Sequence, residues 1–134
     1  MMKQLTPQDI INQYVEFCEI ERKCTLNGDY KTSNKHGKRM LKVFKELEKD
    51  KNLAIELLPK LFNHQNVVAR TDAAAHCLSL NICVKEAIEC LEKIEKYEAE
   101  NIFGFNAKMT LKVWREQGFL KMYPKQESNK NIGR

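Results

Sequence analysis

The chain has 134 residues, enough for one domain with a hydrophobic core and too few for two independent domains. It contains only 5 Gly and 3 Pro, and this scarcity of turn-forming residues favours helices over β-sheet. The formal net charge is +5, and no segment approaches the ~20 apolar residues of a membrane span or has the pattern of a secretory signal. We therefore expect a cytosolic, all-α protein that makes no membrane contact.

The first two helices are marked by capping residues. Thr6, Pro7 and Asp9 form the pattern of a capping box with proline at the first helical position, and they predict a helix over about residues 7–23. Asn27 and Gly28 then break this helix. Asp29 is suited to cap a second helix. The buried stripe predicted for this second helix, at three- and four-residue spacing, is Tyr30, Asn34, Gly37, Leu41, Phe44 and Leu47, widened by Met40 and Val43.

Four more helices are predicted from the spacing of apolar residues. They cover about residues 53–62, 67–80, 84–98 and 105–117, and Gly118 ends the last of them. The short polar links make neighbouring helices antiparallel, so the six helices form three hairpins. Residues 1–123 are predicted to form the single domain. Residues 124–134 have one large apolar residue and no periodicity, and they are predicted to be a disordered basic tail.

Residues that could carry chemistry are scattered along the sequence. None of the three histidines, His36, His64 and His76, lies at metal-ligand spacing from a second His, Asp or Glu that would complete a site, and no Gly-rich phosphate loop or nucleophile motif is present. We therefore predict no cofactor, no metal and no enzymatic activity. The odd number of cysteines at apolar helix positions, without a Cys-x-x-Cys pair, predicts reduced buried thiols: Cys18, Cys24, Cys77, Cys83 and Cys90.

Residues 57–80 contain the clearest motif of the chain. They read Leu-Leu-Pro-x-Leu, a short polar turn, and then Arg70-x-x-Ala-Ala followed by leucine, which resembles one HEAT repeat. HEAT repeats usually carry valine before that arginine, where this chain has Ala69. Small residues such as Ala74 let paired helices approach closely. The resemblance implies a HEAT/armadillo-like right-handed α-solenoid of about three hairpins, flanked by repeats that lack the motif.

A longer resemblance covers about residues 25–118. Three segments carry it: Asn27-Gly28-Asp29, the repeat above, and the run from Phe105 to Trp114. Together they resemble a bacterial family of small HEAT-like domains of unknown function. Some members of that family are encoded beside polymorphic or contact-dependent toxins as immunity proteins. The resemblance therefore implies a protein that binds and neutralises a cognate toxin domain.

Basic charge is concentrated in two blocks. Residues 35–51 hold 7 basic and 3 acidic groups, and residues 101–134 hold 7 and 2, whereas helices one and five are rich in glutamate. In a HEAT-like stack the second helix of each hairpin usually lines the concave side, which here means helices two, four and six. The predicted partner-binding wall on that side is Lys38, Arg39, Lys42, Lys45, Arg70, His76, Lys108, Lys112 and Arg115. An ordinary solvated helix face explains many of the same charges.

Two kinds of partner fit this predicted wall. A protein partner, such as a toxin domain, would be steered to the basic face by charge. The alternative is a nucleic acid, whose phosphates a basic concave face would neutralise. Nucleic-acid binders of this size usually interleave exposed aromatics with basic residues, and we expect Phe105 and Trp114 to lie in the core, which favours a protein. For Arg70 a structural role within the stack is the other interpretation, and for His76 a role as a partly buried spacer.

Overall fold

The first helix and its caps follow the sequence signals. The computed structural model describes residues 6–120, and of Tyr30 the backbone only. Helix α1 spans Pro7–Asn27, four residues longer than predicted. The Thr6 hydroxyl accepts from the Asp9 N–H at 3.1 Å, and the Asp9 carboxylate accepts from the Thr6 N–H at 3.0 Å, which completes the capping box. Gly28 ends the helix with a φ of 74°, a conformation in which glycine has no side chain to clash.

Five further α-helices and one 3-10 helix complete the chain through residue 120. Helix α2 spans Tyr30–Lys49, α3 Lys51–Leu57, α4 Val67–Leu80, α5 Val84–Tyr97 and α6 Ile102–Gln117, and residues 6–120 contain no strand. A 3-10 helix, Leu58–Asn63, continues α3 through the segment that contains Pro59, which has no N–H to extend the α-helical pattern. The all-α prediction with six helices is therefore confirmed. The predicted tail at 124–134 lies outside the described residues.

Asparagine and aspartate side chains set several helix starts. Asp29 accepts from the Thr32 N–H and Asp50 from the Leu53 N–H, both at 3.1 Å. Asn101 accepts from the Phe103 N–H at 2.9 Å, so α6 begins at Ile102 and not at residue 105 as predicted. At its other end α6 stops at Gly118, where the prediction placed the stop.

Helix α4 occupies the centre of the fold. Ten of its fourteen residues are buried, and it packs against α1, the 3-10 helix, α5 and α6. Ala69, Ala73 and Ala74 are completely buried, and small side chains at these positions let four neighbours approach the same helix. No helix within residues 6–120 has the length and hydropathy needed to cross a membrane.

The helices form two rows, and the two helices of the first hairpin occupy the opposite rows from those that the sequence predicted. Helix α1 packs on α4, and α4 packs on α6. In the other row α2 lies along α3, and the 3-10 helix that continues α3 contacts α5. Strict alternation of first and second helices would place α2, and not α1, beside α4 and α6. The prediction that helices two, four and six share one wall is therefore wrong for helix two.

The buried side of α2 also differs from the predicted stripe. Val43, Phe44 and Leu47 are buried, whereas Asn34 and Gly37 are exposed. The side chain of Tyr30 lies outside the described part of the chain. The real stripe is rotated toward Met40 and Val43, so the lysine-bearing side of α2 turns directly outward.

Candidate functional site

The nine residues of the predicted wall fall into three groups. Seven of them are exposed: Lys38, Arg39, Lys42 and Lys45 on α2, and Lys108, Lys112 and Arg115 on α6. Arg70 on α4 is half-buried, and His76 on α4 is buried. Because α2 belongs to a different row from α4 and α6, the cations of α2 and α6 do not line the one row of helices that was predicted to carry them.

His76 belongs to the hydrophobic core and must be removed from the predicted binding surface. Its side chain is only 4% exposed and stacks on the Phe44 ring, with the ring centroids 4.4 Å apart. Its Nδ1 is hydrogen-bonded to the Tyr14 hydroxyl. Burial lowers the pKa of His76 from 6.5 to about 3, so the imidazole is neutral at physiological pH. This histidine therefore joins α1, α2 and α4 from inside the fold.

Arg70 lines a surface groove and does not meet the α6 cations. The groove has a volume of about 440 Å³ and runs between the 3-10 helix and α5, where Phe62, Glu89 and Tyr97 also line it. The Nε atom of Arg70 is buried and has no hydrogen-bond acceptor within residues 6–120. The structural role expected for this arginine, bonding to carbonyls or acids of an adjacent repeat, is thus not carried by its Nε within the described part.

The outward side of α6 combines apolar and basic side chains. Phe105, predicted to lie in the core, is 55% exposed, and Ile102 one turn before it is 45% exposed. Trp114 is half-buried and packs against the core, as expected. Lys112 pairs with Glu116 at 3.7 Å, and Arg115 reaches across to Glu92 on α5 at 2.8 Å. We define the α6 face by its five exposed members: Ile102, Phe105, Lys108, Lys112 and Arg115.

The outward side of α2 is more strongly basic than the sequence prediction stated. Besides Lys38, Lys42 and Lys45, it exposes three lysines that were not included in the predicted wall. Arg39 leaves this line, because its guanidinium lies over the Phe17 ring of α1 at 5.1 Å. We call the resulting line the α2 lysine stripe: Lys31, Lys35, Lys38, Lys42, Lys45 and Lys49. The sequence already indicated Lys35 and Lys49 on the outward face of this helix, and Lys31 follows the same three- and four-residue spacing.

A pair of acids between α1 and α4 was not predicted to interact. The Cys18 thiol of α1 lies 3.7 Å from the Oδ2 atom of Asp72 on α4, and Glu21 on α1 is the acid whose charge acts on Asp72. Burial, followed by the charge of Glu21, raises the pKa of Asp72 well above its ordinary value. Cys18 and Glu21 lie one turn apart on α1, but their spacing does not predict that Asp72 lies beside them, because Asp72 belongs to another hairpin.

The cysteines behave as core residues. Four are buried and Cys83 is half-buried, and all five are free thiols, as their apolar positions predicted. Burial raises the pKa of Cys77 to about 12 and that of Cys90 to about 11, which keeps both thiols protonated. Within residues 6–120 no group of three or more His, Cys, Asp or Glu side chains is placed to hold a metal ion.

Comparison with known proteins supports the fold. The crystal structure of the protein RPA1889 from Rhodopseudomonas palustris CGA009 is similar to this chain with a TM-score of 0.78, at 21% sequence identity. The match covers 90% of this chain and 99% of that one. No family model matches the chain, and no curated protein matches it either. The structural likeness bears on the all-helical fold alone.

Proposed function

We propose that this chain is a non-catalytic, cytosolic protein-binding module with a HEAT-like solenoid architecture, and that it neutralises a bacterial toxin domain by covering it. The observation that carries the proposal is the α6 face, where exposed Phe105 and Ile102 stand beside Lys108 and Lys112. The resemblance of the sequence to small HEAT-like immunity proteins supplies the class of partner.

The exposure of Phe105 removes the sequence-based argument against a nucleic acid, which assumed that this ring is buried, but the composition of the α6 face still fits a protein partner. Aromatic side chains are enriched in the cores of protein interfaces, and a single exposed aromatic often contributes more binding energy than the polar contacts around it. Phe105 provides such an anchor, and Lys108 and Lys112 favour an acidic surface around it. The glutamates that pair with Lys112 and Arg115 lower the positive potential here, which makes this face less suited to a phosphate backbone.

The rigidity of this surface adds support. The α6 face stands on a helix capped at both ends, by Asn101 and Gly118, and packed against α5 and α4. A helix held in this way keeps its side chains in place before the partner arrives, which reduces the entropy lost on binding. Occlusion of a toxin needs such a preformed surface and no reacting group.

We expect a gene beside this one to encode a toxin, and the test co-expresses the C-terminal domain of that toxin with the wild type or with one variant that combines Phe105→Ala, Lys108→Glu and Lys112→Glu. We expect the wild type to restore growth and to copurify with the toxin domain. Because exposed substitutions usually change stability by no more than about 0.5 kcal/mol, the variant should fold normally. Its dissociation constant should rise at least tenfold, about 1.4 kcal/mol, and protection should fall with it.

A control with the same change in net charge replaces one exposed apolar residue and two exposed lysines on the other row: Ile55→Ala, Lys51→Glu and Lys60→Glu. These three side chains are exposed, and they lie on α3 and the 3-10 helix. The control should protect as well as the wild type. Failure of the wild type to bind the toxin domain would overturn the immunity proposal, and full protection by the α6 variant would remove the α6 face from the mechanism.

A further inference from the structure

The α2 lysine stripe is a strongly basic surface of the described chain. Its six lysines recur at spacings of four, three, four, three and four residues, and each is exposed. They face away from Val43, Phe44 and Leu47, which anchor α2 in the core. At about 1.5 Å per residue the stripe extends over roughly 27 Å from Lys31 to Lys49.

The stripe differs from an ordinary solvated helix face. From Tyr30 to Lys45 helix α2 contains no acidic residue, and its two glutamates, Glu46 and Glu48, lie near its C-terminal end. Like charges three or four residues apart on a helix destabilise it. The exposed side of helix α5 has the more usual composition for a solvated helix face, because it carries both lysines and glutamates. An unbroken row of lysines is therefore not needed for solubility.

The chemistry of the stripe selects among anionic partners. Lysine is depleted in protein interfaces, whose cores are apolar, and the stripe includes no apolar side chain. Stable attachment to a membrane surface usually needs an apolar or lipid anchor besides basic charge. Phosphate groups of a nucleic acid backbone are bound by lysines directly and in a row, without apolar contacts.

We infer that the α2 lysine stripe binds the phosphate backbone of a nucleic acid, without reading the base sequence. The stripe has few of the groups that read base edges, because lysine side chains are flexible point charges. It lies on a different row from the α6 face. The inference is therefore independent of the proposed toxin binding, and both partners could be bound at once.

The test measures binding of the full chain to a fluorescein-labelled 20-bp duplex of random sequence and to a 20-nucleotide single strand, from about 50 to 200 mM salt. The wild type should bind with a slope of log affinity against log salt near −5 on the duplex, since each neutralised phosphate contributes about −0.9. The variant Lys31→Gln, Lys35→Gln, Lys38→Gln and Lys42→Gln should lose at least tenfold in affinity at about 50 mM salt, and its slope should become shallower by about three to four.

A control with the same change in net charge is Lys51→Gln, Lys60→Gln, Lys85→Gln and Lys93→Gln, all at exposed positions outside α2. It should keep most of the affinity and most of the slope. Circular dichroism should show equal helix content in the three proteins. No binding by the wild type at about 50 mM salt, or equal losses in both variants, would overturn the inference. Binding to vesicles of 70% phosphatidylcholine and 30% phosphatidylserine, without binding to either oligonucleotide, would replace it with a membrane surface.

Discussion

Two glycines in different helices should respond in opposite directions to the same substitution. Gly104 is buried in the first turn of α6, and a Cβ atom added there would overlap the carbonyl oxygen of Glu98 and lie 3.1 Å from the backbone nitrogen of Ala99. Gly37 is exposed on α2, and an added Cβ would meet nothing within 4 Å. Neither glycine has a positive φ, so alanine is compatible with the backbone conformation at both positions.

The expected magnitudes follow from these surroundings. In an unobstructed helix interior, alanine is more stable than glycine by about 0.5–1 kcal/mol, and we expect this gain for Gly37→Ala. At Gly104 the obstacle is backbone and cannot rotate away. The Glu98 carbonyl also accepts the Asn101 N–H at 3.1 Å, so moving it disturbs the turn that starts α6. Overpacking of this kind costs about 1–3 kcal/mol, which exceeds the helix-propensity gain.

Urea and thermal unfolding of the two alanine variants would measure the difference. The midpoint of Gly37→Ala should rise by a few degrees, and that of Gly104→Ala should fall by roughly 3–18 °C, given about 3–6 °C per kcal/mol for a domain of this size. The variants are matched in chemistry, so helix propensity alone predicts the same sign for both. A Gly104→Ala protein as stable as the wild type would show that α6 does not approach the turn between α5 and α6 as described.

Three further predictions concern the core and the caps. Ala74→Leu places a larger side chain at a completely buried position of α4 and should lower the unfolding free energy by about 1–3 kcal/mol in urea melts; an unchanged midpoint would contradict the packing of this face. Asn101→Ala removes the acceptor for two N–H groups at the start of α6 and should cost about 1 kcal/mol, measured in the same way. Burial lowers the pKa of His76 to about 3 in the folded protein, whereas in the unfolded chain it has its ordinary value of 6.5. As the pH falls below 6.5, a proton binds this histidine in the unfolded chain and not in the folded protein, so the unfolding free energy falls. Between pH 7 and 5 the unfolding free energy of the wild type should therefore fall by about 2 kcal/mol more than that of His76→Gln. The raised pKa of Asp72 has the opposite effect on stability, and it acts in both proteins. Equal losses in the two proteins would show that His76 is not a buried neutral group.

Local chemistry made the helix boundaries predictable. The capping box at Thr6, the aspartate cap at Asp29 and the glycine stop at Gly118 act through contacts within a few residues, so they can be read from the sequence. The start of α6 was not predicted, because Asn101 caps the helix so that it begins at Ile102, three residues before the expected start at residue 105. The 3-10 segment around Pro59 changes the hydrogen-bond pattern within what the sequence indicated as one helix.

The layout of the charged surfaces depends on information that periodicity does not contain. An apolar stripe shows which side of a helix is buried, but it does not name the helix that covers it. For this reason the basic residues of α2 and α6 were assigned to one wall, although α1 lies along α4, and α2 meets α4 where Phe44 stacks on His76. The burial of His76 did have a signal, since α4 is rich in alanine and apolar residues around most of its circumference, a pattern typical of a central helix.

The contacts of His76 also determine how the first hairpin fits onto the rest of the molecule. The imidazole bonds to Tyr14 on α1 and stacks on Phe44 on α2, so one side chain of α4 meets both helices of that hairpin. Sliding the hairpin by one helical turn would preserve much of the apolar contact, because leucine, valine and alanine accept many arrangements. It would leave two buried polar groups unpaired, at a cost of about 1–3 kcal/mol for each. The hydrogen bond between Tyr14 and His76 therefore favours the observed alignment of the hairpin over shifted alignments in which this bond would be broken.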